Sequence, residues 1–354
     1  MTTITLSGSG ELTRTIVTGT AGYNLAKMFI ISGYSSIDSA AFYNLPSLTS
    51  VTIPDSVTSI GVSAFGGTSL TSVTIPDSVT SIGERVFFYC TSLTSVTIGN
   101  SVTSISDLAF ENCTSLTSVT IPDSVTSIGV RAFGNCTSLT SVTIGNSVTI
   151  IDYGAFRFCS SLTSVTLGNS VTSIGSYAFT QCTSLPSVII GNLVTSIGSY
   201  AFTYCTSLTS VKIGISVTSI CISAFRSCTK LTSIKIPKSV ISIGDFAFYV
   251  CNLLTTVFIS NGQVISGTTF VSPASNVSFF SSTVSTMLFI TSGYYSNGFE
   301  LDDIFASGIC EKQSGYLLSN GDDLSSIFAA GICATQSGLL LSNGDDLSSI
   351  YKGL

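Results

Sequence analysis

The chain has 354 residues with 12 Lys and Arg against 18 Asp and Glu, a net charge of −6, and no His. An acidic chain that is only 8% charged lacks the extended basic footprint of a nucleic-acid binder, and without imidazole it has neither the usual general base nor a Ser-His or Cys-His nucleophile pair. Apolar residues make up 44% of the chain but come two or three at a time, far short of the roughly 20 in a row that a membrane-spanning helix needs.

The start, Met1 to Gly10, carries neither a basic stretch nor an apolar run, so no cleavable signal peptide is expected. Ile4-Thr5-Leu6, then Gly8 to Gly10, then Leu12 to Val17 read as a β-hairpin or as added strands, forming an N-terminal cap over residues 1–24.

From about residue 25 to residue 265 one pattern returns every 23 residues, the signature of a β-rich repeat solenoid in which each unit buries its apolar face against the next. In the copy from Ala109, Phe110 and Cys113 stand three apart, as on one inward helical or 3₁₀ turn. Leu116, Val119 and Ile121 follow, with Val and Ile alternating around Thr120, which predicts a short strand with Thr120 outward. Pro122-Asp123 ends the strand, as Gly99-Asn100 and Gly145-Asn146 do elsewhere. Val125 and Ile128 return to the core and Gly129 opens the next unit. The copy at Phe65-Gly66-Gly67-Thr68 is a residue short and reads as lacking the Cys position. A degenerate first copy shows in Leu25, Met28, Ile30, Tyr34, Ile37 and Phe42. About eleven strands at about 4.8 Å each predict a parallel sheet roughly 50 Å long.

Cys90, Cys113, Cys136, Cys159, Cys182, Cys205, Cys228 and Cys251 form one column. Zinc wants converging ligands, which a linear column does not offer. Side chains in a parallel stack point the same way, which spoils disulfide geometry. The column is therefore expected to be inward, reduced and used for packing, which favours a reducing compartment.

The unit from Ala109 to Gly129 resembles the BspA-like, or Treponema pallidum-type, leucine-rich repeat, Ala-Phe-x-x-Cys-x-x-Leu-x-x-Val-x-Ile-Pro-x-x-Val-x-x-Ile-Gly, at nearly every fixed position. The resemblance implies a right-handed arc with a parallel sheet on its concave face and short helical turns on the convex side. It also implies a surface or secreted protein, or a virion-associated one, that binds other proteins, and it brings no catalytic motif. Departures are Ile215 and Lys238 at the turn Asp/Asn position, Cys221 for the closing Gly, and Pro186 inside a strand.

Beyond the array, residues 266–292 read as a C-terminal cap or linker. Residues 293–354 carry a second repeat, with Asn320-Gly321-Asp322-Asp323 returning at Asn343, that predicts strand, turn and short helix. Its Asn/Asp clusters suggest a calcium loop but lack the spaced ligands and closing Glu of an EF-hand.

No enzyme, cofactor or metal site is expected. Outward from the main strand stand Thr52, Thr74, Thr97, Thr120, Thr143 and Thr166, with a Ser column two residues earlier from Ser50 to Ser233. Ser and Thr on that face keep an exposed sheet soluble and β-prone. The column then breaks into Ile189, Lys212, Lys235 and Phe258, with Lys230 and Lys238 near in sequence. This patch is the candidate binding site, for another protein or an acidic surface such as a polyanionic glycan. Two other roles fit the same sequence: a spacer attached through the C-terminal tail, and an ice-binding Ser/Thr array, which the curvature of a leucine-rich sheet opposes.

Overall fold

The computed structural model describes residues 2–259 and, as backbone, the strands Asn276–Ser281 and Val284–Thr291. The 293–354 repeat with its Asn/Asp clusters lies outside the described residues. The array is a parallel β-solenoid of about 11 turns, wound right-handed as connections between parallel strands are. Each coil contributes a main strand, such as Ser118–Ile121, and a two-residue strand, such as Ser127–Ile128. Between them, Pro122-Asp123 and Gly99-Asn100 make the same turn, since Val125 N–H donates to Pro122 O and Val102 N–H to Gly99 O. Alternation decides what faces in: Val119 and Ile121 are buried while Thr120 is exposed.

Coils stack in register, so each side chain meets its own copy. Thr120 pairs with Thr143, and Thr143 with Thr166. The Phe rings from Phe42 to Phe248 form an unbroken buried stack, with neighbouring centroids 5.1–5.5 Å apart and planes within 16° of parallel. Offset stacking is favourable at that spacing, and burying each ring stabilises by about 1.5–3 kcal/mol. Threonine adds ladders of its own: Thr94, Thr117, Thr140 and Thr163 each donate Oγ1–H to the carbonyl of the equivalent Thr one coil back, at 2.9–3.2 Å.

The two-residue strands form one continuous sheet of seven from Ser104–Ile105 to Ser242–Ile243, whereas the main strands fall into hydrogen-bonded blocks. One break lies between Ser164–Thr166 and Ser187–Ile189. There Pro186 replaces a residue whose counterpart Thr209 donates its N–H one coil back, and proline has no N–H to donate. A second break separates Ser210–Lys212 from Ser233–Ile236.

Two readings of the pattern are corrected. The short copy does not lack the Cys position: Thr68 occupies it, buried, with Oγ1 donating to Phe65 O at 2.8 Å and 3.3 Å from Cys90 Sγ. The missing residue falls between Thr68 and Leu70. In the degenerate copy the alignment slips by one through Ile31, while Tyr34, Ile37 and Phe42 are buried in their expected places and Ile37 pairs with Ile60. Ala26, Phe29 and Ile31 are buried, Leu25 is 67% exposed, and Phe29 pairs with the inward Val51. A slip of one residue exchanges the faces of a strand.

On the Ala-Phe side the turns close by hydrogen bonds three residues back, Glu111 N–H to Leu108 O and Cys113 N–H to Phe110 O. They stop at single turns because two residues per coil are left-handed, Leu108 at φ 60° and Asn112 at φ 63° in this copy. Left-handed conformation costs roughly 1–2 kcal/mol in a residue with a Cβ. What offsets it is a directional ladder. Leu108, Phe110 and Asn112 N–H donate to Val130, Ala132 and Gly134 O of the next coil at 2.7–2.8 Å, and the scheme repeats along the array. Every carbonyl in this ladder therefore faces the N-terminus, as in a helix run backwards.

That leaves carbonyls of the first turn to be satisfied. Strand β1 (Thr3–Leu12) pairs parallel with β2 (Met28–Ile37), and so is an added strand, not half of a hairpin. Helix α1 (Arg14–Gly19) follows, with Thr13 Oγ1 accepting from Ile16 N–H and Val17 buried. It places the Arg14 guanidinium 2.8 Å from both Ala40 O and Tyr43 O, a cation at the carbonyl end of the stack. Arg14→Ala should lower the unfolding free energy by roughly 1–3 kcal/mol and speed hydrogen exchange at Ala40, Phe42 and Asn44 before that of later coils. Unchanged exchange at those amides would show that Arg14 does not hold the end.

Candidate binding face

The repeating thiols are packed inside the core. All nine described cysteines are free, and the column from Cys90 to Cys251 is buried. Each column thiol donates to the Phe carbonyl one coil back, as Cys113 Sγ to Phe87 O and Cys136 Sγ to Phe110 O, both at 3.2 Å. Burial pushes the seven thiols from Cys90 to Cys228 in the column up, Cys159 and Cys205 to about 12, and neighbouring thiols add to the effect at Cys113, Cys136 and Cys182. A neutral thiol inside a core is neither nucleophile nor metal ligand. Among the described residues no group of three His, Cys, Asp or Glu is placed to hold a metal ion, and no helix is long and apolar enough to cross a membrane.

The outward column of the main strands is exposed along its length. Thr74, Thr97, Thr120, Thr143 and Thr166 face solvent in register. Ile189 follows at 66% exposure and pairs with the exposed Lys212, and the exposed Lys235 pairs with Phe258, itself 45% exposed. Lys212 and Lys235 occupy the same position of packed neighbouring strands, at the second ladder break. Lys230 is exposed on the turn before Ser233–Ile236 and Lys238 on the turn after it. The structure thus puts four of the six candidates in one row and two beside its end. An apolar side chain at each end flanks two ammonium groups.

Sequence reasoning missed a concave feature on the Ala-Phe side. A cavity of about 390 Å³ is lined by residues including Arg157, Tyr177, Tyr200, Tyr204 and Arg226. Its signal lay in the unspecified positions of the repeat, where aromatic and basic residues gather between residues 153 and 226.

A family description, BspA type leucine rich repeat region, matches residues 35–163 and 151–278 in six copies. Solved structures are similar too. A leucine rich cell surface protein from Faecalibacterium prausnitzii is 28% identical, with 80% of this chain and 84% of that one covered and a TM-score of 0.44. The pneumococcal vaccine antigen PcpA is 19% identical over 73% of this chain and 69% of its own, at a TM-score of 0.50. A leucine rich repeat protein of T. pallidum is 21% identical over 64% and 78%, at 0.34. No curated protein matches the chain.

The thiol geometry has a pH consequence. A raised folded-state pKa means stability that is full below the unfolded value near 9 and is lost as pH rises through the folded value. Each raised thiol should therefore remove up to about 1.4 kcal/mol per pH unit above that point. Urea titrations should show unfolding midpoints falling steeply above the unfolded thiol range. Mass mapping after alkylation of the native chain should label the half-buried Cys221 and spare the column; labelled column thiols at neutral pH would contradict the burial.

Proposed function

The chain belongs to the BspA-type leucine-rich repeat family, and from that premise we propose that it is a non-catalytic scaffold for protein binding or adhesion. Its contact surface is the outward face of the main sheet, and the acidic partner docks on Ile189, Lys212, Lys235 and Phe258, with Lys230 and Lys238 at the margin. The single observation that carries this reading is the break in the Thr column. Thr serves the position in coil after coil, so nothing in the fold asks for Lys there.

Two ammonium groups at one position of neighbouring coils repel, and an anion bridging both relieves that repulsion. The exposed Ile189 at one end and Phe258 ring at the other supply apolar contact that a lone salt bridge lacks. A protein surface with a carboxylate cluster beside an apolar spot complements this arrangement. The hydroxyl array of the earlier coils supports an ice-binding reading less well, because the Thr row ends at Ile189 and its ladder breaks before it.

Replacing Lys212 and Lys235 by Thr together should leave stability unchanged or raise it by about 0.2–1 kcal/mol. The same change should abolish recovery of an acidic partner in a pull-down with the intact chain, and recovery by the parent should weaken as salt rises. Equal recovery by parent and double variant would move the function off this face.

A further inference from the structure

We propose that the Ala-Phe side carries a second binding site, a trough for an acidic saccharide, formed where two arginines flank a pair of threonines. Three residue columns build it. The floor is Arg157, Thr180, Thr203 and Arg226, at one position of four successive coils. One wall is Tyr177 and Tyr200, stacked with centroids 4.8 Å apart, continued by Tyr153 at 5.3 Å. The other wall is Phe158, Gln181 and Tyr204.

The fold makes the trough by what it puts on the floor. Thr180 and Thr203 are buried and turn their hydroxyls to the next coil, donating to Tyr200 O at 2.5 Å and Ser223 O at 2.6 Å. No side chain rises there, while both walls stand on left-handed residues: Tyr177, Tyr200, Gln181 and Tyr204 have φ of 59–61°. That conformation projects the wall side chains away from the coil. The cavity's volume falls within the range of small-molecule sites, about 300–1,000 Å³.

Its chemistry selects the ligand. The lining holds two guanidinium groups and no carboxylate. Arg157 lies 4.5 Å over the Phe158 ring and Arg226 5.1 Å over the Tyr249 ring, which fixes both heads. The Nε–H of each is buried with no hydrogen-bond partner, as is that of Arg131 outside the lining, so an anion in the trough is met by the terminal guanidinium nitrogens. Between the arginines lie phenol hydroxyls and one amide, groups that both donate and accept. A ligand that brings ring hydroxyls and carboxylates together meets this set. A uronic-acid chain does so, and it advances by about one coil spacing per sugar. The two arginines stand three coil steps apart, about 14 Å, the reach of a short oligosaccharide. The Tyr177–Tyr200 stack gives way to Ser223 in the next coil, so the Tyr200 ring ends the pair with an aromatic face against which sugar C–H groups pack.

This site is built from residues of the Ala-Phe turns and shares none with the Lys212 and Lys235 row on the main strands, so the two are separable. Calorimetric titration of the full chain with tetragalacturonate, whose first and fourth sugars are three steps apart, should show saturable binding that weakens with added salt. Arg226→Gln should weaken it about tenfold or more, and Tyr204→Ala and Arg157→Gln should weaken it as well, with circular dichroism confirming that each variant is folded. Neutral maltotetraose should bind at least about tenfold more weakly than tetragalacturonate. The K212T/K235T chain should bind tetragalacturonate as the parent does, whatever happens to its protein partner. Absence of binding at millimolar tetragalacturonate would overturn the proposal. So would equal binding by folded variants at Arg157, Tyr204 and Arg226, or tetraglutamate binding as tightly as the sugar, which would mark a peptide site.

Discussion

Every side chain in the array lies one coil spacing from its own copy, so a position accepts only residues that tolerate themselves as neighbours. Phe on Phe gains stacking, Cys on Cys packs as a small apolar group, and Thr on Thr builds hydroxyl ladders. Charge on like charge is penalised at that range. The chain is only 8% charged for this reason, and Ser and Thr supply the surface polarity instead. The turn after the main strand shows the rule at work. After the Asp55 and Asp77 pair at the short copy, Asp77, Asn100, Asp123 and Asn146 alternate, and each Asn donates its N–H to the Asp one coil back at 2.6–2.7 Å. Against that background Lys212 and Lys235 stand out, because they break the rule on an exposed face that has no structural use for them.

The Ala-Phe side obeys a second form of the same constraint. The backbone hydrogen-bond ladder between its turns runs in one direction, which two left-handed residues per coil make possible. The resulting carbonyl end is met by Arg14, so the charge at the start of the array follows from the backbone direction of the turns. The same left-handed positions project side chains outward in columns. Where those side chains are Tyr and the column between them is Thr, the surface becomes a trough. Scaffold and site here use one backbone feature: the strain recurs in every coil, and only the identity of the projected residues varies.

Much of this was legible from spacing alone. The period, the inward Val and Ile, the outward Thr, and the buried unpaired thiols follow from alternation and from parallel stacking, which leave few choices. The Lys row was legible because a monotonous column makes a break visible. Thr68 was not, since a hydroxyl in an apolar column reads as a gap until its bonds to Phe65 O and Cys90 Sγ are seen. The first copy misled because its strand, Met28–Ile37, is apolar at consecutive positions, so alternation gives two registers and only the pairing of Phe29 with Val51 decides. The trough was hidden for a different reason. It is built from positions the repeat leaves free, and its depth comes from two threonines turning to the backbone, which no spacing announces.

The self-stacking rule can be measured away from the Lys row, at Thr120 and Thr143, which face each other in register and point outward. A double-mutant cycle on unfolding free energy should give a destabilising coupling of about 0.2–1 kcal/mol for T120K with T143K, and a favourable one for T120K with T143E. Both should shrink as salt rises. Additive effects of the paired lysines, within error and at low salt, would contradict the account.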